Sequence, residues 1–163
     1  MKIQRITALV VLLACSSAVV LLSVASAGST ATKQCVSFLM NFNPGTETAS
    51  WQLIPLSPGR LKRDEGSSTG GGTIGAPSLR NGQRVTPISG SDMMTGKRGT
   101  LVISQTLVSA QVGNRYTADV GTWKFVSGTG AYKGLTGGGR FAGVGLPSGN
   151  TVLINQEGCL RVG

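Results

Sequence analysis

Histidine is missing from all 163 residues. Its absence removes Ser-His-Asp and Cys-His machinery, histidine general-base catalysis and His-ligated zinc. Acidic residues are scarce: six in all, Glu47, Asp64, Glu65, Asp92, Asp119 and Glu157, against 15 lysines and arginines. Only Asp64 and Glu65 adjoin, so the paired carboxylates that glycoside hydrolysis needs on rigid elements would have to be brought together by the fold. Aromatic residues make up 5% of the chain, too few for the stacking platforms that hold single-stranded nucleic acid, and no specific nucleic-acid partner is expected. There is no CxxC spacing, which removes redox and zinc-ribbon readings. Beyond the N-terminal run no useful length of helical periodicity occurs, and nothing repeats at a fixed period. With no recognisable catalytic constellation, cofactor motif or metal-ligand set, the sequence leans away from an enzyme.

The start of the chain carries Lys2 and Arg5, followed by an apolar-to-small run from Ile6 to Ala27 that closes on Ala25-Ser26-Ala27. This is the charged, apolar and small-x-small order of a secretory signal peptide, residues 1–27, and leaves one domain over 28–163. Two alternatives stand beside it. The run is long enough to span a membrane, although Ser16, Ser17, Ser23 and Ser26 dilute it. Leu12-Leu13-Ala14-Cys15 also resembles a lipobox, which would lipidate Cys15. Loss of Lys2 and Arg5 with the leader leaves 13 basic against six acidic residues, a net charge of +7. Such a basic exported domain fits an anionic cell-surface polymer as partner.

Of three cysteines, Cys15 falls in the leader, and Cys35 and Cys159 remain. An even count in an exported chain reads as one disulfide. Val36, Phe38, Met40 and Phe42 form one face of a first strand, with Cys35, Ser37 and Asn41 on the other. Val152, Ile154 and Leu160 form one face of a last strand, with Thr151, Asn155, Glu157 and Cys159 opposite. Both cysteines lie on the polar side, so neighbouring first and last strands would place them within bridging distance and close a barrel seam.

Between these ends the chain reads as all-β. Strands are expected over Lys33–Phe42, Thr46–Ile54 with Trp51 as anchor, Gly99–Ala110, Arg115–Ser127 and Thr151–Leu160, separated by Asn-Pro-Gly and Pro-Ser-Gly-Asn turns. The apolar residues on both faces of Gly99–Ala110 also fit a contact between copies of the chain. Residues 57–73, with Arg60, Lys62, Arg63 and then a Gly/Ser run, offer no core residues and are expected to be a mobile surface loop. Residues 74–89 contain Pro77 and Pro87 and read as a short edge strand or irregular chain. Met93 and Met94 read as gap-fillers.

Asp119 to Gly145 is the most patterned stretch. Trp123 and Phe125 alternate with Lys124 and Val126 as in a half-buried strand. Gly128 and Gly130 permit a tight reversal. Ala131, Tyr132 and Leu135 suggest a connection folded back onto the barrel mouth. Gly137 to Gly139 complete this connection, and alternation then resumes from Arg140, where Phe141 is expected to meet an aromatic of the preceding strand. A phosphate cradle is not supported, because no helix and no Gly-Lys-Ser/Thr follows. Asp119 has two readings: a cavity acid with Tyr116 or Tyr132 nearby, or a surface acid paired with Arg115 or Lys124.

The string Gly121 to Tyr132, followed by Gly134 and Gly137 to Gly139, resembles the glycine-rich segment of the allene oxide cyclase and dirigent barrel superfamily. That resemblance implies a single eight-stranded antiparallel barrel, lipocalin-like in outline, with an apolar cavity and a tendency to form homo-oligomers. The family's polar cavity residues find no match in this chain, and the residues themselves make Tyr116, Asp119, Trp123, Phe125 and Tyr132 the ligand-cavity candidates. The functions that follow are a noncatalytic binder of a small apolar ligand, a cofactor-independent isomerase or cyclase, and a basic adhesion module.

Overall fold

The computed structural model describes residues 32–113 and 115–162. The expected leader over residues 1–27, with Cys15, lies outside the described residues. Nine strands follow in order: β1 (Thr32–Asn43), β2 (Thr48–Pro55), β3 (Asp64–Ile74), β4 (Ser78–Arg80), β5 (Gln83–Gly96), β6 (Gly99–Val112), β7 (Tyr116–Gly128), β8 (Leu135–Gly145) and β9 (Val152–Val162). A short 3-10 turn, Gly130–Tyr132, lies between β7 and β8. The strands run β3-β2-β1-β9-β8-β7-β6-β5, each antiparallel to its neighbours, and a β3–β5 ladder closes the ring. The result is an eight-stranded antiparallel barrel with β4 appended to β5.

The seam expected from the cysteines is present. β1 pairs with β9 with Cys35 opposite Cys159, and the two form a disulfide across 124 residues of sequence. Such a bond places the folded domain in an oxidising, non-cytoplasmic compartment. Alternation then decides what faces inward: Val36, Phe38 and Met40 from β1, and Ile154, Gln156 and Leu160 from β9, are all buried.

Three readings are corrected. Residues 57–73 are not a loop throughout, because β3 begins at Asp64 and is paired on both edges, to β2 and β5. Its inward positions are Asp64, Gly66, Ser68, Gly70 and Gly72, and the room that small side chains leave is used by a neighbour. Trp51 lies opposite Gly66 and donates its indole N–H to the Ser67 carbonyl at 3.0 Å. A Cβ at Gly96 would lie 2.8 Å from the same indole ring.

Residues 74–89 hold the short edge strand expected of them, β4, but from Gln83 onward they also contribute β5, a strand interior to the sheet. Asn81 and Gly82, at φ of 50° and 76°, form a two-residue turn between the paired Arg80 and Gln83, the backbone a tight hairpin requires. Pro87 is tolerated because its missing N–H falls on the β3 side, just beyond the last pair, Ile74 with Ile88; there its carbonyl accepts from Gly75 N at 2.8 Å.

Gly137 to Gly139 belong to β8 rather than to the connection, and Phe141 faces Gly121, not an aromatic. The aromatic contacts are instead Phe38 with Trp123, edge-on at 5.4 Å, and Phe38 with Trp51 at 6.3 Å. A Cβ at Gly121 would sit 2.2 Å from the Thr106 carbonyl, so the strands approach there as only glycine allows.

The barrel is filled unevenly. The end holding both chain ends of the domain is solid with Leu53, Leu61, Met94, Leu101, Tyr132, Leu135 and Leu160. The segment after β2 folds under this end as a plug, held by Gln34, whose side chain donates to the Leu61 carbonyl at 2.9 Å and accepts from Leu61 N at 2.7 Å. Arg60 donates to the carbonyls of Ala131 and Lys133. Part of the basic cluster expected to face solvent therefore ties two connections together.

Candidate functional site

The opposite half is hollow. A cavity of about 300 Å³ is walled by Phe42, Ile74, Ile88, Leu107, Phe141, Val152 and Ile154, with Gly70, Gly71, Gly72 and Gly90 along one side. The glycines make the space: a Cβ at Gly70 would lie within bonding distance of the Asp92 carboxylate. Exposed Ile74 and Glu47 stand at its rim.

The floor is polar. Gln105 on β6 donates to Asp92 Oδ2 at 3.0 Å, and Gln156 on β9 donates to Gln105 Oε1 at 3.1 Å. Since β6 and β9 are three strands apart in the ring, this last bond crosses the lumen. Below it lie the rings of Phe38, Trp51 and Trp123, packed edge-on and tilted against one another.

Asp92 and Asp119 both line the cavity and are buried, at 5% and 8% exposure. Burial pushes the Asp92 carboxyl up from its ordinary 3.8 to about 6, with the Gln105 hydrogen bond drawing it back only in part. Asp119 is also raised, by burial, against the pull of the Ser109 and Thr117 hydroxyls. Its Oδ1 has no hydrogen-bond partner, nor has the buried Oε1 of Gln156. Glu47 is held at the rim in a left-handed conformation, φ 53°, where its carbonyl accepts from Gly70 N at 3.1 Å.

Of the five residues singled out by sequence, Asp119 lies on the cavity. It is the buried acid of the first reading, yet neither tyrosine accompanies it, and neither Arg115 nor Lys124 forms an ion pair with it. Among the described residues the ion pair present is Lys97 with Glu65. Tyr116 is 48% exposed and lines a shallow depression on the outer wall beside Arg115. Trp123 is core, directly across from Gln105, and its indole N–H has no partner. Phe125 packs against the core from a half-buried position.

Tyr132 belongs to the closed end, where its hydroxyl donates to Asp64 Oδ2 at 2.7 Å. Burial and then Asp64 push that phenol's ionisation up. Asp64 also accepts from the amides of Glu65, Lys97 and Arg98. Burial alone would raise its carboxyl, but these bonds, led by Tyr132, outweigh it and hold Asp64 below the usual range.

Sequence reasoning missed Asp92, Gln105, Gln156 and Glu47. The available signal was alternation: Ile88, Gly90, Asp92 and Met94 share one face, so an inward acid was implied once β5 was read as a strand. Comparison with family models, curated proteins and solved structures finds no match for the chain.

Proposed function

We propose that this domain is an exported, noncatalytic barrel that holds one small, largely apolar molecule in the hollow half. The observation that carries the reading is the 300 Å³ cavity, walled by seven apolar side chains and bounded below by the Asp92–Gln105–Gln156 chain. Ligand pockets combine such walls with a few placed polar groups. The eight-stranded ring and the glycine-rich segment from Gly121 to Tyr132 support placing the chain among the allene oxide cyclase and dirigent-like barrels, and the Cys35–Cys159 bridge supports export behind a leader cleaved after Ala27.

The test is native mass spectrometry of protein purified from its own host, with binding of the neutral dye N-phenyl-1-naphthylamine. A copurified small mass, and dye binding lost on Val152→Trp at the cavity wall, are the expected results. A bare protein that takes up no dye refutes the reading.

A second reading, a cofactor-independent isomerase or cyclase, draws on Asp92 and Asp119 as buried acids able to hold or move a proton beside a positioned substrate. It requires turnover that falls in Asp92→Asn or Asp119→Asn. A third, adhesion to an anionic surface polymer, draws on exposed Lys33, Arg140 and Arg161 around the glycine-floored trough over the disulfide. It requires binding that disappears with added salt.

A further inference from the structure

Charge is segregated in this molecule in the direction opposite to its total. The chain is +9 overall, with 15 basic and six acidic residues, yet every charged residue lining the cavity is acidic: Glu47, Asp92 and Asp119. Half of the chain's acids face one space that no lysine or arginine among the described residues enters.

Two of these carboxylates are more than nine-tenths buried, which is costly for a charge without a cationic partner. Asp119 Oδ1 lacks any hydrogen-bond donor. No grouping of three metal-ligating side chains occurs among the described residues, and beyond Gln105, Ser109 and Thr117 the side chains lining the space with the acids are apolar.

We infer that the cavity takes an organic monocation, an amine with an apolar body, whose ammonium donates to Asp119 while the body packs on Phe42, Leu107, Phe141 and Ile154. Asp92 and Glu47 add negative potential to the same space, and the low dielectric of the apolar walls strengthens the pair. The inference rests on the reading of the cavity as a ligand site and adds the sign of the ligand's charge.

The experiment compares 2-phenylethylamine with 2-phenylethanol, of nearly the same shape, by calorimetry at pH 7.5 on the wild type, Asp119→Asn and Asp92→Asn, with thermal unfolding of each variant. The expected result is an amine preference of about tenfold or more in the wild type, as a charge-assisted hydrogen bond in a dry site supplies. That preference is lost in Asp119→Asn and reduced in Asp92→Asn, while affinity for the alcohol changes little. Should Asp119→Asn fail to fold, Glu47→Gln at the exposed rim and Asp92→Asn carry the test, each expected to lower the preference. Equal binding of amine and alcohol overturns the charge inference and leaves the cavity reading intact. If neither binds and the neutral dye is also refused, both fall.

Discussion

Replacing Asp92 with asparagine is expected to make this protein more stable at neutral pH and to leave it unchanged in acid. The carboxyl is 5% exposed and faces Gly70 across the β3–β5 ladder and Gln105 on β6; the other titratable groups lining its cavity, Asp119 and Glu47, are also acids. No cation offsets the loss of water. Moving a carboxyl from 3.8 to about 6 means that ionising it in the folded chain costs about 3 kcal/mol more than in the unfolded chain. The sign follows from the raised folded value. Below about pH 4 both states hold the proton and nothing is lost; the penalty grows as pH climbs toward 6 and is complete above it.

Asparagine keeps the shape and still accepts from Gln105, so Asp92→Asn gains up to about 3 kcal/mol at pH 7.5, a large part of the roughly 5–15 kcal/mol that holds a domain folded. Urea unfolding of both proteins at pH 4.0 and 7.5 measures this, with the slope expected to stay constant. A difference that does not vary with pH, or an asparagine variant less stable at pH 7.5, refutes the account of the buried acid. A variant that gains stability while losing amine preference would show that the carboxylate is kept at a cost, for binding.

Other outcomes follow from the closed end and the seam. Tyr132→Phe removes the donor to Asp64 and is expected to cost about 1–3 kcal/mol, read by thermal unfolding; because Asp64 lies below the usual carboxylate range, its contribution is present above that range and is lost as pH falls, so the variant should differ least in strong acid. Replacing Cys35 and Cys159 together with serine frees a 124-residue loop and should lower stability by about 2–5 kcal/mol relative to the disulfide-bonded wild type, while the reduced wild type should match the variant. Gly121→Ala drives a Cβ into the Thr106 carbonyl and should cost more than about 2 kcal/mol, whereas Gly113→Ala, in open space at φ 64°, should cost less.

What could be read in the sequence was whatever local pattern decides. Cys35 and Cys159 on the polar faces of two alternating strands located the seam, and Trp51 announced itself as an anchor; Trp123, expected at the cavity, proved to be core. β3 was illegible because its inward face, Asp64 to Gly72, carries almost nothing apolar; the mass that fills the space beside it belongs to Trp51 on another strand. Complementarity of a large residue and a distant small one has no local signature. The same blindness hid where the expected cavity lies and what lines it, since Gly70 to Gly72 look like a linker until Asp92 is seen across from them. Asn81-Gly82 was different: the dipeptide is a hairpin signal in its own right, and a reading of residues 74–89 from their prolines alone passed over it.

The pairing of Thr32 with Val162 at the plugged end also fixes how the molecule can be presented. A tether attached ahead of Thr32, whether a lipid, a surface or a resin, holds the barrel by its blind base and turns the acidic opening toward the surrounding medium. Immobilised ahead of Thr32 or beyond Val162, the protein should leave the mouth of the cavity as open as it is in solution, so uptake of the neutral dye should be the same in both settings.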